Sequence, residues 1–353
     1  MADSKAKKQW TILELIQWTT EYFQSHGIES PRLTAELLLA HSLEVDRISL
    51  YTHYDKPLDA KELAAFREGI QRRVRREPTQ YITGRQEFWS MEFTVTPDVL
   101  IPRPETELLV ETALKLFGAP VVRGAERRAG GEDDQQALPA APGSSPLTLA
   151  DIGTGSGNIA IALAKELRDC IIYASDISEK ALQVAGHNAK KLLESPDKII
   201  FLKGDLLEPF DKLTEGGLNA ASLYKDSPDL KTGRSSVPRD KGSSGKLRFH
   251  GILCNPPYIS EEAYASLAPE VSRYEPKIAL LGGRDGLDYY RRLLSASVRH
   301  LGEGGYLLVE IGFHQRDQIL RLIERTSLLT CCEVIKDYAG IDRVVVARRK
   351  GGK

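Results

Sequence analysis

Asn255-Pro256-Pro257-Tyr258 is a stretch suited to holding a planar NH2 group. The side-chain carbonyl of Asn255 and the backbone carbonyl of Pro256, stiffened by Pro257, are two acceptors able to take both N–H bonds and aim the nitrogen at an electrophile such as a sulfonium methyl. Such a nitrogen is a poor nucleophile because its lone pair is delocalised, so orientation is where a protein can help most. Tyr258 adds an aromatic face that can stack on the target group or favour nearby positive charge. Taken alone, the same four residues could simply end a strand.

A second stretch, Asp151-Ile152-Gly153-Thr154-Gly155-Ser156-Gly157-Asn158, follows a strand-like run and opens a helix. Glycines let a backbone approach a ligand closely, and a helix N-terminus offers free amides. The spacing is G-x-G-x-G. Asn158 stands where a dinucleotide-binding fingerprint would place its last small residue, which argues against a nicotinamide oxidoreductase. Asp176 lies nineteen residues beyond Gly157, at the end of the next strand-like run, where a carboxylate can accept hydrogen bonds from ribose hydroxyls. Arg103, Glu105 and Thr106 are further candidates to line the site, or equally parts of a structural loop held by Pro102 and Pro104; Glu310, at a strand end, could face the same crevice but reads first as a capping or packing residue. The arginines at 72, 73, 75 and 76 read as a solvated helix end favoured by the helix dipole.

The elements that must position these residues follow from periodicity. Over the first eighty or so residues Ile12, Leu15, Ile16, Thr19, Tyr22 and Phe23 fall at helical spacing, and Gly27 is a natural stop. Pro31 opens a second helix through Leu37, Leu38 and Leu39. A longer helix runs from Leu58 to Arg76, with Leu63, Phe66 and Ile70 on one face, and Pro78 ends it. Residues 87–99 alternate like a hairpin. Strand-like runs at Leu147–Ile152, Ile171–Asp176, Ile199–Lys203, Phe249–Cys254 and Tyr306–Ile311 then alternate with helices, which implies a mostly parallel sheet covered on both faces. Residues 330–335 and 343–347 read as a closing hairpin. The stretches 121–146 and 214–246 lack periodicity, are rich in small and charged residues, and are expected to be surface insertions without fixed structure.

The chain has 353 residues, enough for two domains. With 48 basic and 49 acidic residues its net charge is −1, so there is no global pull towards nucleic acid or an anionic membrane. No run approaches the ~18 apolar residues of a membrane span. The N-terminal residues carry no signal-peptide pattern. Cys170, Cys254, Cys331 and Cys332 have no metal-site or disulfide spacing, which reads as a reduced, cytoplasmic protein.

Over nearly its full length the sequence resembles the PrmC/HemK family of release factor glutamine N5-methyltransferases. The resemblance is carried by Gln80 to Gly84 with Glu87-Phe88, Leu100 to Glu107, Asp151 to Asn158 and Asn255 to Tyr258. It continues through Glu275-Pro276 with Ala279-Leu280, Gly283 to Leu287, and Asp337 to Val345. The Asn-Pro-Pro-Tyr stretch is shared with other amino-group methyltransferases, whereas the stretches around Pro102–Glu107 and Asp285–Leu287 are more specific.

The resemblance implies an α/β fold: a seven-stranded Rossmann-like methyltransferase sheet with an N-terminal helical-bundle domain. It divides the chain into a helical substrate-recognition domain (1–84), a hairpin linker (85–105) and an S-adenosylmethionine-dependent methyltransferase domain (106–353). It implies S-adenosyl-L-methionine contacts at Gly153, Thr154, Gly155, Ser156, Gly157, Asp176 and Asn255. Leu206 is a further contact, at a position where relatives often carry an aromatic residue. Target-amide contacts are implied along Asn255, Pro256, Pro257 and Tyr258, with Asn255, Pro256 and Tyr258 catalytic and no metal. The implied substrate is the glutamine of the Gly-Gly-Gln motif of peptide chain release factors, methylated by a monomer without direct nucleic-acid or membrane binding. An adenine or guanine amino methyltransferase would share Asn255 to Tyr258 but usually needs a basic surface. A cofactor-sensing binding module would have no use for an intact Asn255.

Overall fold

The computed structural model of the protein describes residues 9–118, 146–215 and 247–351. Apart from Pro146, Thr214 and Glu215, both expected insertions lie outside the described residues. The chain forms two compact units, residues 1–85 with 268–274, and residues 86–267 with 275–353.

The first unit is helical. Helix α1 (Ile12–Ser25) starts at a reciprocal capping box, in which Glu14 N donates to Thr11 Oγ1 and Thr11 N donates to Glu14 Oε2. Helix α2 (Pro31–Ser42) has proline in its first turn, and a short α3 (Arg47–Thr52) follows. Helix α4 (Ala60–Val74) is capped by Asp59 with Glu62, and α5 (Thr79–Thr83) closes the run. The core is built on Ile12, Leu15, Ile16, Phe23, Leu38, Leu39, Phe66 and Ile70. Leu37, grouped with Leu38 and Leu39 by sequence, turns outwards.

The arginine-rich end of α4 departs from the expected solvated helix end. Arg73 is only 6% exposed, and both its terminal nitrogens donate to Glu270 Oε1 at 3.1 Å. Arg76 joins it at 3.3 Å. A partly buried carboxylate draws in these guanidinium groups, and helical periodicity alone cannot reveal that partner.

In the second unit a two-stranded hairpin, β1 (Arg85–Phe88) and β2 (Met91–Thr94), packs Phe88, Met91 and Phe93 into the core. Helix α6 (Glu107–Phe117) follows. Strands β3 (Leu147–Ile152), β4 (Cys170–Asp176) and β5 (Ile199–Lys203) then alternate with α7 (Asn158–Glu166) and α8 (Glu179–Leu192). Helix α9 (Glu208–Glu215) follows β5. After β6 (Phe249–Cys254) come the short helices α10 (Glu261–Tyr264) and α11 (Pro269–Tyr274), the latter belonging to the first unit. Then come α12 (Asp288–His300), β7 (Leu301–Glu310), α13 (Arg316–Arg325), β8 (Leu329–Lys336) and β9 (Asp342–Arg349).

The sheet has seven strands in the order β5-β4-β3-β6-β7-β9-β8. Strands β3 to β7 run parallel, and β9 and β8 close the edge antiparallel. This is the expected α/β architecture, with a Rossmann-like sheet and an N-terminal helical bundle. The strand order reverses between β3 and β6, which pair in register from Leu149–Gly251 to Ile152–Cys254. Ligands bind at the carboxyl ends of strands at such a reversal. The residues that follow Ile152 and Cys254, the glycine loop and Asn255, therefore emerge side by side.

Candidate active site

The glycine loop leaves β3 under tight control. Gly153 N and Thr154 N both donate to Ser175 O on neighbouring β4, at 2.8 and 3.0 Å. Gly153 and Gly155 sit at φ +72° and +54°, and a Cβ on either would meet nothing within 4 Å. Their backbone therefore borders open space. Gly157 does a different job: at φ +83° it caps α7, and a Cβ there would lie 2.9 Å from Ile161 and 3.1 Å from Ala185. Thr154 and Ser156 are buried rather than lining the cleft.

Asp151 anchors the loop from beneath. Its Oδ2 accepts from Thr154 Oγ1 at 2.6 Å and from Ala160 N at 3.2 Å, while Oδ1 has no partner. Burial pushes its pKa up to about 7, against those hydrogen bonds. Asp176, at the end of β4, accepts from Gly155 N through Oδ2 and from Ser178 N through Oδ1, each at 2.9 Å. Burial raises its pKa, and the amides of Ser178, Gly155 and Ile177 oppose the rise. Asn188 on α8 ties the loop to the hairpin. It exchanges hydrogen bonds with both backbone groups of Thr94 and donates to Ser156 O at 2.9 Å.

The cleft beside this loop is lined by Gly153, Gly155, Asp176, Leu206, Asn255, Pro256 and Pro257, joined by Leu100, Ile278 and Tyr289. Tyr258 is not among its lining residues; the side chain is half-buried and packs against the core beneath. Burial also raises the Tyr258 pKa.

What holds 255–258 in place comes from far along the chain. Asn255 Nδ2 donates to Thr106 Oγ1 at 3.0 Å, and Thr106 Oγ1 donates to Glu310 Oε2 at 2.7 Å. Thr106 and Glu310 are 2% and 1% exposed. Burial pushes Glu310 up to about 7 despite the Thr106 hydrogen bond and Arg343. Arg103 points elsewhere, pairing with the buried Glu275, which also accepts from Ile101 N.

The backbone of Pro257 and Tyr258 lies in a mould of glycines. A Cβ on Gly282 would fall 2.6 Å from Pro257 O, and one on Gly286 2.4 Å from Tyr258 O. Gln315 Nε2 donates to Tyr258 O at 3.0 Å and to Gly286 O at 3.2 Å. Sequence spacing gave no sign of Asn188, Gln315 or the Thr106–Glu310 pair in these roles. The Gly283 to Leu287 stretch was a motif without an assigned task.

Comparison with known proteins gives concordant results. The model of the PrmC N-terminal domain family matches residues 14–84, and that of a methyltransferase domain matches residues 144–218. The release factor glutamine methyltransferase of Geobacter sulfurreducens is 37% identical over 339 residues, covering 96% of this chain and 97% of its own. That of Rhodopirellula baltica is 36% identical over 345 residues, with 98% of each chain covered. A solved protein-(glutamine-N5) methyltransferase (release factor-specific) from Alicyclobacillus acidocaldarius is 25% identical, with a TM-score of 0.36, over 73% of this chain and 100% of its own.

Proposed function

This chain belongs to the release factor glutamine methyltransferase family, and from that membership and the geometry of the cleft we propose that it methylates the side-chain amide nitrogen of a glutamine in peptide chain release factors, within their Gly-Gly-Gln motif. The observation that carries the reading is the fixed orientation of Asn255. With Nδ2 committed inwards to Thr106, the carbonyl end is what Asn255 offers to the cleft, beside the glycine loop.

The residues lining that loop fit S-adenosyl-L-methionine. A carboxylate has about four lone-pair sites. Asp176 meets the backbone amides of Gly155, Ser178 and Ile177 and keeps lone-pair capacity for a ribose hydroxyl. The open space over Gly153 and Gly155 lets main chain lie against a ligand. Leu206 and Tyr289 offer apolar and aromatic cover on the same cleft. When bound, the cofactor supplies a methyl group activated by a sulfonium.

The remaining work falls to orientation. Asn255 Oδ1 and the Pro256 carbonyl would accept the two N–H bonds of the target amide and so fix the direction in which its nitrogen faces. As the nitrogen gains positive charge, these fixed acceptors stabilise it with little reorganisation. The N-protonated product amide is acidic enough to give its proton to water afterwards, so the step needs no strong base, and the residues from Asn255 to Tyr258 include none. Tyr258 contributes through packing that fixes the loop. Any primary amide fits two carbonyls, so preference for one glutamine in one protein requires remote contacts, and we assign these to the helical domain, residues 1–84. The reading takes the enzyme as a cytoplasmic monomer without direct nucleic-acid contact.

Incubating the full chain with a release factor and methyl-labelled cofactor, followed by peptide mass spectrometry, tests the proposal. Label is expected on the glutamine amide. Label on another residue type, or on RNA or DNA supplied in competition, would overturn it.

A further inference from the structure

The hydrogen bonds behind Asn255 have a direction, and that direction bears on which end of its amide meets the substrate. An asparagine side chain has two ends of nearly equal shape and opposite character, a donor NH2 and an acceptor carbonyl. Cleft geometry alone does not distinguish them. The three-residue chain does. A threonine hydroxyl has a single proton. In this structure Thr106 gives it to Glu310 Oε2, so Thr106 can only accept from Asn255, and the NH2 end must turn inwards.

We propose that Glu310 and Thr106 are positioning residues for the methyl transfer: Glu310, by accepting the Thr106 proton, fixes the polarity of the chain and so holds the Asn255 carbonyl towards the target amide. The inference rests on the reading of Asn255 as an amide acceptor and deepens it.

Polarity, not mere contact, is the point. An ionised carboxylate can only accept. A protonated carboxyl, or a glutamine in its place, can donate to Thr106 Oγ1. Thr106 would then be free to donate to Asn255, which would satisfy it equally well by turning over. The cleft would then present NH2 to the N–H bonds of the target, two donors facing each other. Glu310 sits at the end of β7, next to β6, which leads into Asn255, and is enclosed. Burial is the largest influence and opposes its ionised form, as does Glu105; the Thr106 hydrogen bond, Arg343 and Arg103 favour it, and the balance leaves the carboxyl titrating at about 7. Tyr258, Tyr290 and Cys254 face it as neutral groups with raised pKa values. Tyr290 Oη donates to the Glu310 backbone carbonyl at 2.7 Å, so it fixes the strand end without competing for the carboxylate.

The test compares Thr106→Ser, Thr106→Val, Glu310→Gln and Asn255→Ala in the full chain, with release factor and labelled cofactor. Circular dichroism reports whether each variant is folded, and calorimetry gives its S-adenosylmethionine affinity. Thr106→Ser keeps the hydroxyl and is expected to turn over within about threefold of wild type. Thr106→Val and Glu310→Gln are expected to lose about 10- to 100-fold in kcat with cofactor affinity unchanged. A packing role for Glu310 would not give a pH signature, but the relay does. The wild-type to Glu310→Gln ratio of kcat, in which contributions from Asp151 cancel, should be largest above pH 7 and shrink below it as Glu310 gains a proton. If Asn255→Ala loses turnover while Glu310→Gln and Thr106→Val keep it, or if that ratio is flat with pH, the relay is wrong and the reading of Asn255 stands. If Asn255→Ala keeps its turnover, both fall.

Discussion

Gly282→Ala isolates the role of the mould around residues 257 and 258. The backbone of Gly282 is not in the left-handed region, so alanine meets no conformational penalty there. The problem is space: the new Cβ would lie 2.6 Å from Pro257 O and 2.9 Å from both Tyr258 Cα and Gly286 O. Gly282 itself is held on both sides, its N donating to Ile259 O at 2.8 Å and its O accepting from Asp288 N at 3.0 Å. The largest displacement therefore falls on the Pro257–Tyr258 peptide, where reaching an ordinary contact of 3.4 Å needs about 0.8 Å. A misplacement of about 1 Å can cost ~10²-fold in rate when catalysis rests on orientation. We expect kcat to fall by roughly 10- to 100-fold, or about 1.4–2.7 kcal/mol of barrier. Cofactor affinity should change by less than about threefold, because Asp176 and the glycine loop are anchored on β4 and not on this segment. Initial rates with a release factor and labelled cofactor give kcat, and calorimetry gives the affinity. Wild-type kcat in the variant, or an equal loss in both quantities, would refute the reasoning.

Three other perturbations follow from the same geometry. Asp176→Ala should weaken S-adenosylmethionine binding by about 1–3 kcal/mol, measured by calorimetry, with the melting temperature little changed; unaltered affinity would remove Asp176 from the cofactor site. Asp151 has a folded pKa raised to about 7, so its contribution to stability is present below its unfolded pKa and is lost as pH rises through about 7. Asp151→Asn should accordingly gain stability relative to wild type between pH 5 and pH 8 in denaturant titrations, and a constant difference would contradict the burial effect. A fragment beginning at Gln86 should bind cofactor normally yet methylate a release factor far more slowly than the full chain. Equal kcat/KM would show that the helical domain is not the recognition element.

Much of this protein can be read from the sequence because the signals are local. The strand-turn-helix that carries Gly153 to Gly157, the acid at Asp176 and the Asn255–Tyr258 stretch are each specified by residues close together in the chain. The β/α alternation that brings them to one edge is a periodicity of side chains facing a core. The reversal of strand order between β3 and β6 follows from that alternation only once the strands pair. Tertiary structure decided the rest. It turned Thr154, Ser156 and the Tyr258 ring away from the cleft and paired Arg73 with Glu270 across 197 residues of sequence. It also set Thr106 against Asn255 and Glu310 across separations of 149 and 204 residues. A single hydrogen bond between distant side chains leaves no period in the sequence. A buried glutamate or threonine has the same letter as an exposed one, and only the fold shows which proton it takes and from whom.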